Sequence, residues 1–158
     1  MSFIASFALC AKEDYEHLLH AAGAEKESTK VLIQEISQEL ETHALPQGEY
    51  SGEVYMSLFT YLEMEQGMEL HAYEGEGGLG EQWREVTGDE DVILWNDSLK
   101  KECLTALDLD ALDPNALNEY VSELFGTDFD GACVEAAERV LEYLKQAAES
   151  KVLVYRLF

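Results

Sequence analysis

Positively charged residues are scarce in this sequence. Ten Lys and Arg stand against 33 Asp and Glu in 158 residues, which gives a formal net charge of −23. A surface of this sign repels nucleic acids and anionic membranes, so we expect direct binding to neither. It attracts a basic protein partner over distances near the Debye length of about 8–10 Å. Solubility alone is the other explanation of such a charge.

Long apolar runs and paired cysteines are also missing. No run approaches the roughly 18–20 apolar residues that a membrane-spanning helix needs, and the first residues lack the basic segment of a signal peptide. Cys10, Cys103 and Cys133 are widely spaced, so they form neither a C-x-x-C metal pair nor an even disulfide set. They predict buried thiols in a reducing compartment, and hence a cytoplasmic protein.

The remaining composition is that of a folded protein, because 47% of the residues are hydrophobic. Residues 2–10 and 152–158 are almost entirely apolar. We predict that residues 2–10 form a strand buried on both faces and that residues 152–158 form a strand in the middle of the sheet, beside residues 2–10. Residues 68–73 and 91–96 are further strand candidates. We predict one α+β domain over residues 1–158, with a small mixed sheet that includes the N- and C-terminal strands and is packed by about five to six helices.

Helical periodicity covers most of the chain between these strands. Residues 12–23 predict a helix that stops at Gly23, and residues 28–43 predict a second with Ser28 or Thr29 as N-cap. Residues 51–67 combine β-branched and aromatic residues with polar ones every three or four positions, and we predict a helix there. The apolar stripe of the second helix holds Val31, Leu32, Ile36 and Leu40. Three later helices are predicted in the same way. The first carries the stripe Leu99, Cys103, Ala106 and Leu107. The second covers residues 113–126, with Pro114 in its first turn and Gly126 at its end. The third carries the stripe Val134, Ala137, Leu141, Leu144 and Ala148.

Residues 74–80, EGEGGLG, match the dinucleotide-binding pattern G-x-G-x-x-G at three glycines. Such a loop binds pyrophosphate through backbone N–H groups and a helix N terminus. Here Glu74 and Glu76 lie among those donors and Glu81 opens the next helix, so carboxylates would repel the phosphates. We therefore predict no nucleotide cofactor and a mobile loop in which glycines permit tight turns.

Residues 126–137 resemble half of a calcium-binding loop. Asp128, Asp130 and Gly131 match loop positions 3, 5 and 6, but the first and last positions hold Gly126 and Ala137 in place of the main carboxylate ligands. We predict no calcium site and interpret Asp130 as the N-cap of the following helix.

Glu13, His17 and His20 share one face of the first predicted helix. A Zn²⁺ or Fe site would need further ligands from another element, and the sequence has no second His motif, so we expect the histidines to face solvent and no metal to bind. The sequence also has no G-x-S-x-G elbow and no thiol beside a His or Lys. We therefore predict no catalytic residues and a protein that is not an enzyme.

Three segments resemble the YfbM-like family of small uncharacterised bacterial proteins. They are the start MSFIASFALCAKEDYEHLL, the central VILWNDSLKKECLTALDLDALDPNALNEY, and the end VLEYLKQAAESKVLVYRLF, together somewhat under half of the chain. The resemblance implies an α+β domain with a mixed sheet, and it implies no activity.

From Val31 through Trp83 the sequence contains no Lys or Arg but has eleven Glu. With a foldable core and no catalytic motif, this predicts an acidic protein-binding module that covers a basic site on a partner, as an immunity or inhibitor protein covers a toxin. One alternative is a DNA mimic that competes for a nucleic-acid-binding protein, which needs a long acidic ridge. Another is a small enzyme or ligand-binding domain whose site is assembled from distant residues.

The residues predicted to contact the partner surround the glycine motif. Tyr73 and Trp83 would act as aromatic anchors framed by Glu74, Glu76 and Glu81, since aromatic side chains within a polar rim contribute much of the binding energy at interfaces. The competing interpretation is that Trp83 packs into the protein's own core and the loop only connects two elements.

Overall fold

The computed structural model describes residues 3–24, 26–42, 45, 52–70, 79–106, 114–126, 132–147 and 150–158. The elements follow in the order β1 (Ala5–Ala11), α1 (Lys12–Ala24), α2 (Lys26–Thr42), α3 (Gly52–Met64), α4 (Leu79–Thr87), β2 (Asp91–Trp95), α5 (Asp97–Ala106), α6 (Pro114–Phe125), α7 (Ala132–Gln146) and β3 (Lys151–Leu157). The predicted α+β class is confirmed.

The strands form a three-stranded sheet in the order β1-β3-β2. β3 pairs with both neighbours, and Leu157 lies opposite Ala5 on one side and Asp91 on the other. The predicted central position of the C-terminal strand beside the N-terminal one is confirmed. Both pairings are antiparallel, so the sheet in the described part of the chain differs from the mixed sheet that we predicted.

Helices cover both faces of the sheet. One face packs against α3, α5, α6 and α7, and the other packs against α1, α2 and α4. The strand side chains on the first face include Phe7, Ile93, Leu153 and Tyr155, and those on the second include Ala8, Cys10, Val92 and Val154. Because both faces are buried, the strands are apolar at successive positions instead of alternating with polar residues.

Residues 68–70, the described part of one strand candidate, are not a strand. They follow the C terminus of α3, where Gly67 has a φ of 70° and the Met68 N–H donates to the Leu62 carbonyl at 3.0 Å. Met68 and Leu70 are buried beneath this turn. Their apolar character therefore reflects burial of a turn against the core and not strand pairing.

The predicted helix over residues 51–67 is confirmed by α3, and α6 begins at Pro114 as predicted. Gly126 follows α6 with a φ of 66°, the left-handed conformation that favours glycine after a helix. Seven helices lie in the described ranges, more than the five to six expected, and α4 is the shortest with nine residues. A segment of under three turns gives only a weak periodic signal.

The boundary between α1 and α2 differs from the prediction. α1 continues through Gly23, and α2 begins at Lys26, before the predicted N-caps. Packing between α1 and α2 is an interaction that local capping signals do not contain, and a glycine inside a helix costs only about 1 kcal/mol. In α2 the buried stripe is Ile33, Ile36 and Leu40, whereas Val31 is exposed.

The N terminus of α3 lies against the chain just before β1. The Gly52 N–H donates to the Phe3 carbonyl at 2.9 Å, and a Cβ at position 52 would lie 2.5 Å from that carbonyl carbon and oxygen. Only glycine permits this approach without a shift of the backbone.

Among the described helices, none has the length and apolar content to cross a bilayer.

Candidate functional site

The structure locates two of the five residues predicted to contact a partner. Glu81 is exposed in the first turn of α4, whereas Trp83 is 0% exposed and packs with Leu79 in the core on the α1, α2 and α4 face. This corrects the assignment of Trp83 as a contact residue, because its ring is part of the protein's own core. Tyr73, Glu74 and Glu76 lie outside the described residues, so their role and that of Glu81 stay a prediction.

Trp83 also belongs to a buried charged group, which we call the Asp89–Arg156 cluster. The Arg156 guanidinium donates to both Asp89 oxygens, from Nε to Oδ2 at 2.8 Å and from Nη2 to Oδ1 at 3.2 Å, and Trp83 Nε1 donates to Oδ2 at 2.9 Å. Asp89 and Arg156 are each 5% exposed. The polar atoms of this cluster bind one another and tie the end of α4 to the central strand, so its role is structural.

The glycine motif falls mostly outside the described residues. Its third glycine, Gly80, is buried inside α4, and residues 68–70 do not form the strand that a dinucleotide fold places before such a loop. The prediction of no nucleotide cofactor is consistent with this arrangement and stays a prediction.

The partial metal motifs do not gain ligands from other described elements. His17, His20 and Glu13 are exposed on α1, as predicted. Within the described ranges no group of three or more His, Cys, Asp and Glu side chains is placed to hold a metal ion. Asp128, Asp130 and Gly131 lie outside those ranges.

All three cysteines are free and buried, as predicted. Burial raises the pKa of Cys10 to about 12 and the pKa of Cys103 and Cys133 to about 11. Because the thiolate is the nucleophilic form, thiols that stay protonated at neutral pH are poor nucleophiles. None of the three is placed for thiol chemistry.

A small cavity of about 250 Å³ lies between α3 and α6, and we call it the tyrosine–glutamate pocket. Tyr61 from α3 and Tyr120 from α6 meet edge to face there, with ring centroids 5.3 Å apart and an interplanar angle of 68°. Glu65, Glu119 and Glu123 also line the pocket, and no basic side chain from the described residues does.

The pocket follows from the packing of α6 on α3. Leu117 is fully buried in the core, which turns the opposite surface of α6, with Glu119 and Glu123 one turn apart, toward solvent. Tyr120 lies between these surfaces and reaches Tyr61 on α3. No local sequence motif predicts this arrangement, because the two tyrosines are far apart in the chain and meet only through tertiary packing.

The chemistry of the pocket suits a cation. Three carboxylates surround one cavity, and two of them, on Glu119 and Glu123, have the i, i+4 spacing at which like charges destabilise a helix by about 0.2–0.5 kcal/mol. Aromatic rings attract ammonium and guanidinium groups by about 0.5–1 kcal/mol at exposed sites and about 2 kcal/mol when water is removed. A lysine or arginine side chain satisfies both features.

A second site has the opposite charge and is called here the lysine pocket. Lys12 Nζ lies 2.6 Å from Asp97 Oδ2, and Lys100 Nζ lies 3.6 Å from Oδ1 and donates to the Ala147 carbonyl at 3.1 Å. The hydrogen bond from Lys12 holds the pKa of Asp97 below its usual value. A cavity of about 420 Å³ beside these groups is also lined by Lys101, Leu104 and Thr105.

Comparisons of the chain with protein-family models, with curated proteins and with solved structures gave no match. The resemblance to the YfbM-like family therefore stays a prediction that rests on the quoted segments.

Proposed function

We propose that this protein is a cytoplasmic, non-enzymatic binding module that covers a basic site on a partner protein, as an immunity protein or toxin inhibitor does. The observation that carries the proposal is the tyrosine–glutamate pocket, where three carboxylates frame a pair of aromatic rings. A lysine or arginine of the partner would enter this pocket. The net charge of −23 supports the same partner class by steering a basic protein toward the surface.

The pocket has the composition of an interface hot spot. Tyr61 is 7% exposed and packs in the core, while the more accessible Tyr120 offers ring surface beside Glu119 and Glu123. Aromatic residues of this kind dominate binding energy when a surrounding rim excludes water. Hydrogen bonds to charged groups are worth about 1.5–3 kcal/mol each. Two carboxylates that bind one basic side chain would therefore contribute substantially to the binding free energy of the partner.

The test compares two double variants that remove the same charge. Glu119→Gln with Glu123→Gln alters the pocket, and Glu138→Gln with Glu142→Gln alters an exposed i, i+4 pair on α7. A partner captured from the native host at low salt is titrated with each purified variant. We expect the pocket variant to bind about tenfold to a hundredfold more weakly and the α7 variant to bind nearly as the parent does.

Salt dependence gives a second readout. Affinity of the parent protein should fall as salt increases, mainly through the association rate, and this dependence should be smaller in the pocket variant. Equal binding by the parent and the pocket variant would refute the pocket as the contact. Equal losses in both double variants would support diffuse attraction instead.

DNA mimicry is the alternative with the same charge requirement. It needs a continuous acidic ridge at a spacing near one charge per about 1.7 Å of axis. Three carboxylates grouped around one shallow cavity favour capture of one basic side chain over imitation of a phosphate backbone. Competition by this chain for a DNA-binding protein, weakened alike in both double variants, would favour mimicry.

The lysine pocket favours a second candidate function, the binding of a small organic anion. Lys12, Lys100 and Lys101 are three of the ten basic residues of the chain, and the exposed side chain of Leu104 adds apolar surface beside them. Citrate is a suitable probe, since its carboxylates match several ammonium groups. A thermal stabilisation by citrate that Lys101→Gln abolishes would support this function, and no stabilisation would exclude citrate-like ligands.

A further inference from the structure

The outer edge of β1 is the feature that the proposed function does not use. Ile4 and Phe158 exchange both backbone hydrogen bonds, at 2.6 and 2.9 Å, and the Lys12 N–H donates to the Ser150 carbonyl at 2.9 Å. Hydrogen-bonded and non-hydrogen-bonded pairs alternate along an antiparallel ladder. The backbone groups of the even-numbered residues therefore point to β3. Those that point away from the sheet belong to Phe3, Ala5, Phe7, Leu9 and Ala11.

The protein's own chain satisfies some of these backbone groups, at Phe3 and Phe7. The Phe3 carbonyl accepts from the Gly52 N–H at 2.9 Å, the Phe3 N–H donates to Glu53 Oε1 at 3.3 Å, and the Phe7 carbonyl accepts from the Leu45 N–H at 2.7 Å. Within the described ranges, the Leu9 N–H and carbonyl and the Ala11 N–H have no such partner. Among the described residues, the edge at Leu9 and Ala11 is therefore open.

A cavity of about 390 Å³ lies beside this open part. Its apolar lining comes from Leu9 of β1, from Ile36 and Leu40 of α2, and from Leu45. Among the described residues, the charged groups around it are Asp14, Glu39 and Lys151, with two carboxylates to one ammonium. The two carboxylates lie close enough to Cys10 to add to the rise in the pKa of its thiol that burial causes.

We propose that an extended segment of the basic partner protein adds a strand to the open edge of β1, pairs with Leu9, and directs a Lys or Arg side chain toward Asp14 and Glu39. This inference rests on the proposed function for its choice of a basic partner. An extended segment is required because the groups to be satisfied are alternate backbone N–H and carbonyl groups of a strand, which a helix does not supply.

Charge complementarity selects this occupant over a second copy of the chain. Pairing of two copies through β1 would bring together two molecules that each carry a net charge of −23, with Asp14 and Glu39 of both near the junction. A basic segment meets the same carboxylates with attraction. The backbone contacts provide affinity and the cavity beside Leu9 provides side-chain selectivity, as in other cases of strand addition.

The probe is a short acetylated and amidated peptide of alternating Val and Lys, compared with the same peptide N-methylated at alternate backbone nitrogens. Amide hydrogen exchange is followed residue by residue in the full chain. We expect the parent peptide to slow exchange at Leu9 and Ala11 and to leave Ala8 and Cys10 unchanged, because the amides of these two residues already bond to β3. N-methylation or the double change Asp14→Asn with Glu39→Gln should weaken binding by about tenfold or more.

Several results would overturn the inference. One is slow amide exchange at Leu9 and Ala11 without peptide, and another is protection by the peptide that does not alternate from one residue to the next. Unchanged binding of the N-methylated peptide, or a dimer formed through β1 in sedimentation measurements, would also refute it. The pocket variant Glu119→Gln with Glu123→Gln should still bind the peptide. If that variant loses the host partner while the peptide fails to protect Leu9, the strand addition is refuted and the proposed function stands.

Discussion

Replacing Asp89 by alanine should destabilise the fold strongly. Asp89 is 5% exposed and accepts hydrogen bonds from Arg156 and from Trp83 Nε1. Without it, Arg156 remains a buried cation whose other carboxylate partner among the described residues is Glu41, 3.7 Å away with a side chain that is 66% exposed. An exposed partner of this kind contributes little.

The expected loss is large because the remaining charge stays buried. Removal of one partner from a buried ion pair typically costs about 3–5 kcal/mol, and the orphaned indole N–H adds to this cost. For a protein of this size each kcal/mol shifts the melting temperature by roughly 2–4 °C, so a shift of roughly 6–20 °C is expected. Urea unfolding followed by circular dichroism measures the free energy directly.

A double-mutant cycle separates the pair from the burial of each residue. Arg156→Met alone should also be costly, whereas Asp89→Ala combined with Arg156→Met should cost clearly less than the sum, by about 2 kcal/mol or more. Glu90→Ala is the matched control, since Glu90 is the exposed neighbour and surface changes stay within about 0.5 kcal/mol. A loss below 1 kcal/mol for Asp89→Ala, or strict additivity, would contradict a buried, coupled pair.

Two further changes test the packing at β1 and the lysine pocket. Gly52→Ala should cost about 1–3 kcal/mol in urea unfolding, because the new methyl group meets the Phe3 carbonyl at 2.5 Å, and unchanged stability would contradict that close approach. The pKa of Asp97 is lower in the folded protein than its usual value of 3.8, so the charged carboxylate stabilises the fold at pH values above 3.8. This contribution is lost as the pH falls through the folded-state pKa. Asp97→Asn should therefore lower stability by about 0–1 kcal/mol at neutral pH and make no difference in strong acid, and a difference that grows on acidification would refute this assignment.

Much of the fold could be predicted from the sequence because its strongest signals are local. The terminal strands are short segments that are apolar at successive positions, a pattern typical of strands buried on both faces. Pro114 and Gly126 mark the two ends of α6 through their own backbone preferences. The strand direction was not predictable in the same way, since antiparallel pairing of β2 with β3 depends on how the intervening helices return the chain.

The candidate site was largely unpredictable for a related reason. Trp83 lies in an acidic stretch of sequence and was predicted as a possible surface anchor, but its environment is set by Asp89 and by Arg156, which comes from the last strand. Likewise Tyr61 and Tyr120 become neighbours only when α6 packs on α3. A single sequence shows which residues carry charge or aromatic rings, but it does not show which of them meet.

In the proposed function, net charge selects the class of partner, and local chemistry has to give the place of contact. In a chain with 33 acidic residues, most of the surface attracts cations at a distance, so an acidic cluster taken alone distinguishes no position. The tyrosine–glutamate pocket differs because its aromatic rings attract a cation only at short range, and most strongly after water is removed. The edge of β1 at Leu9 differs in another way, since its backbone groups have no partner among the described residues and would require an extended segment whatever the charge. In the proposed function, long-range attraction would therefore govern how fast a basic protein arrives, and these two short-range features would govern how it is held.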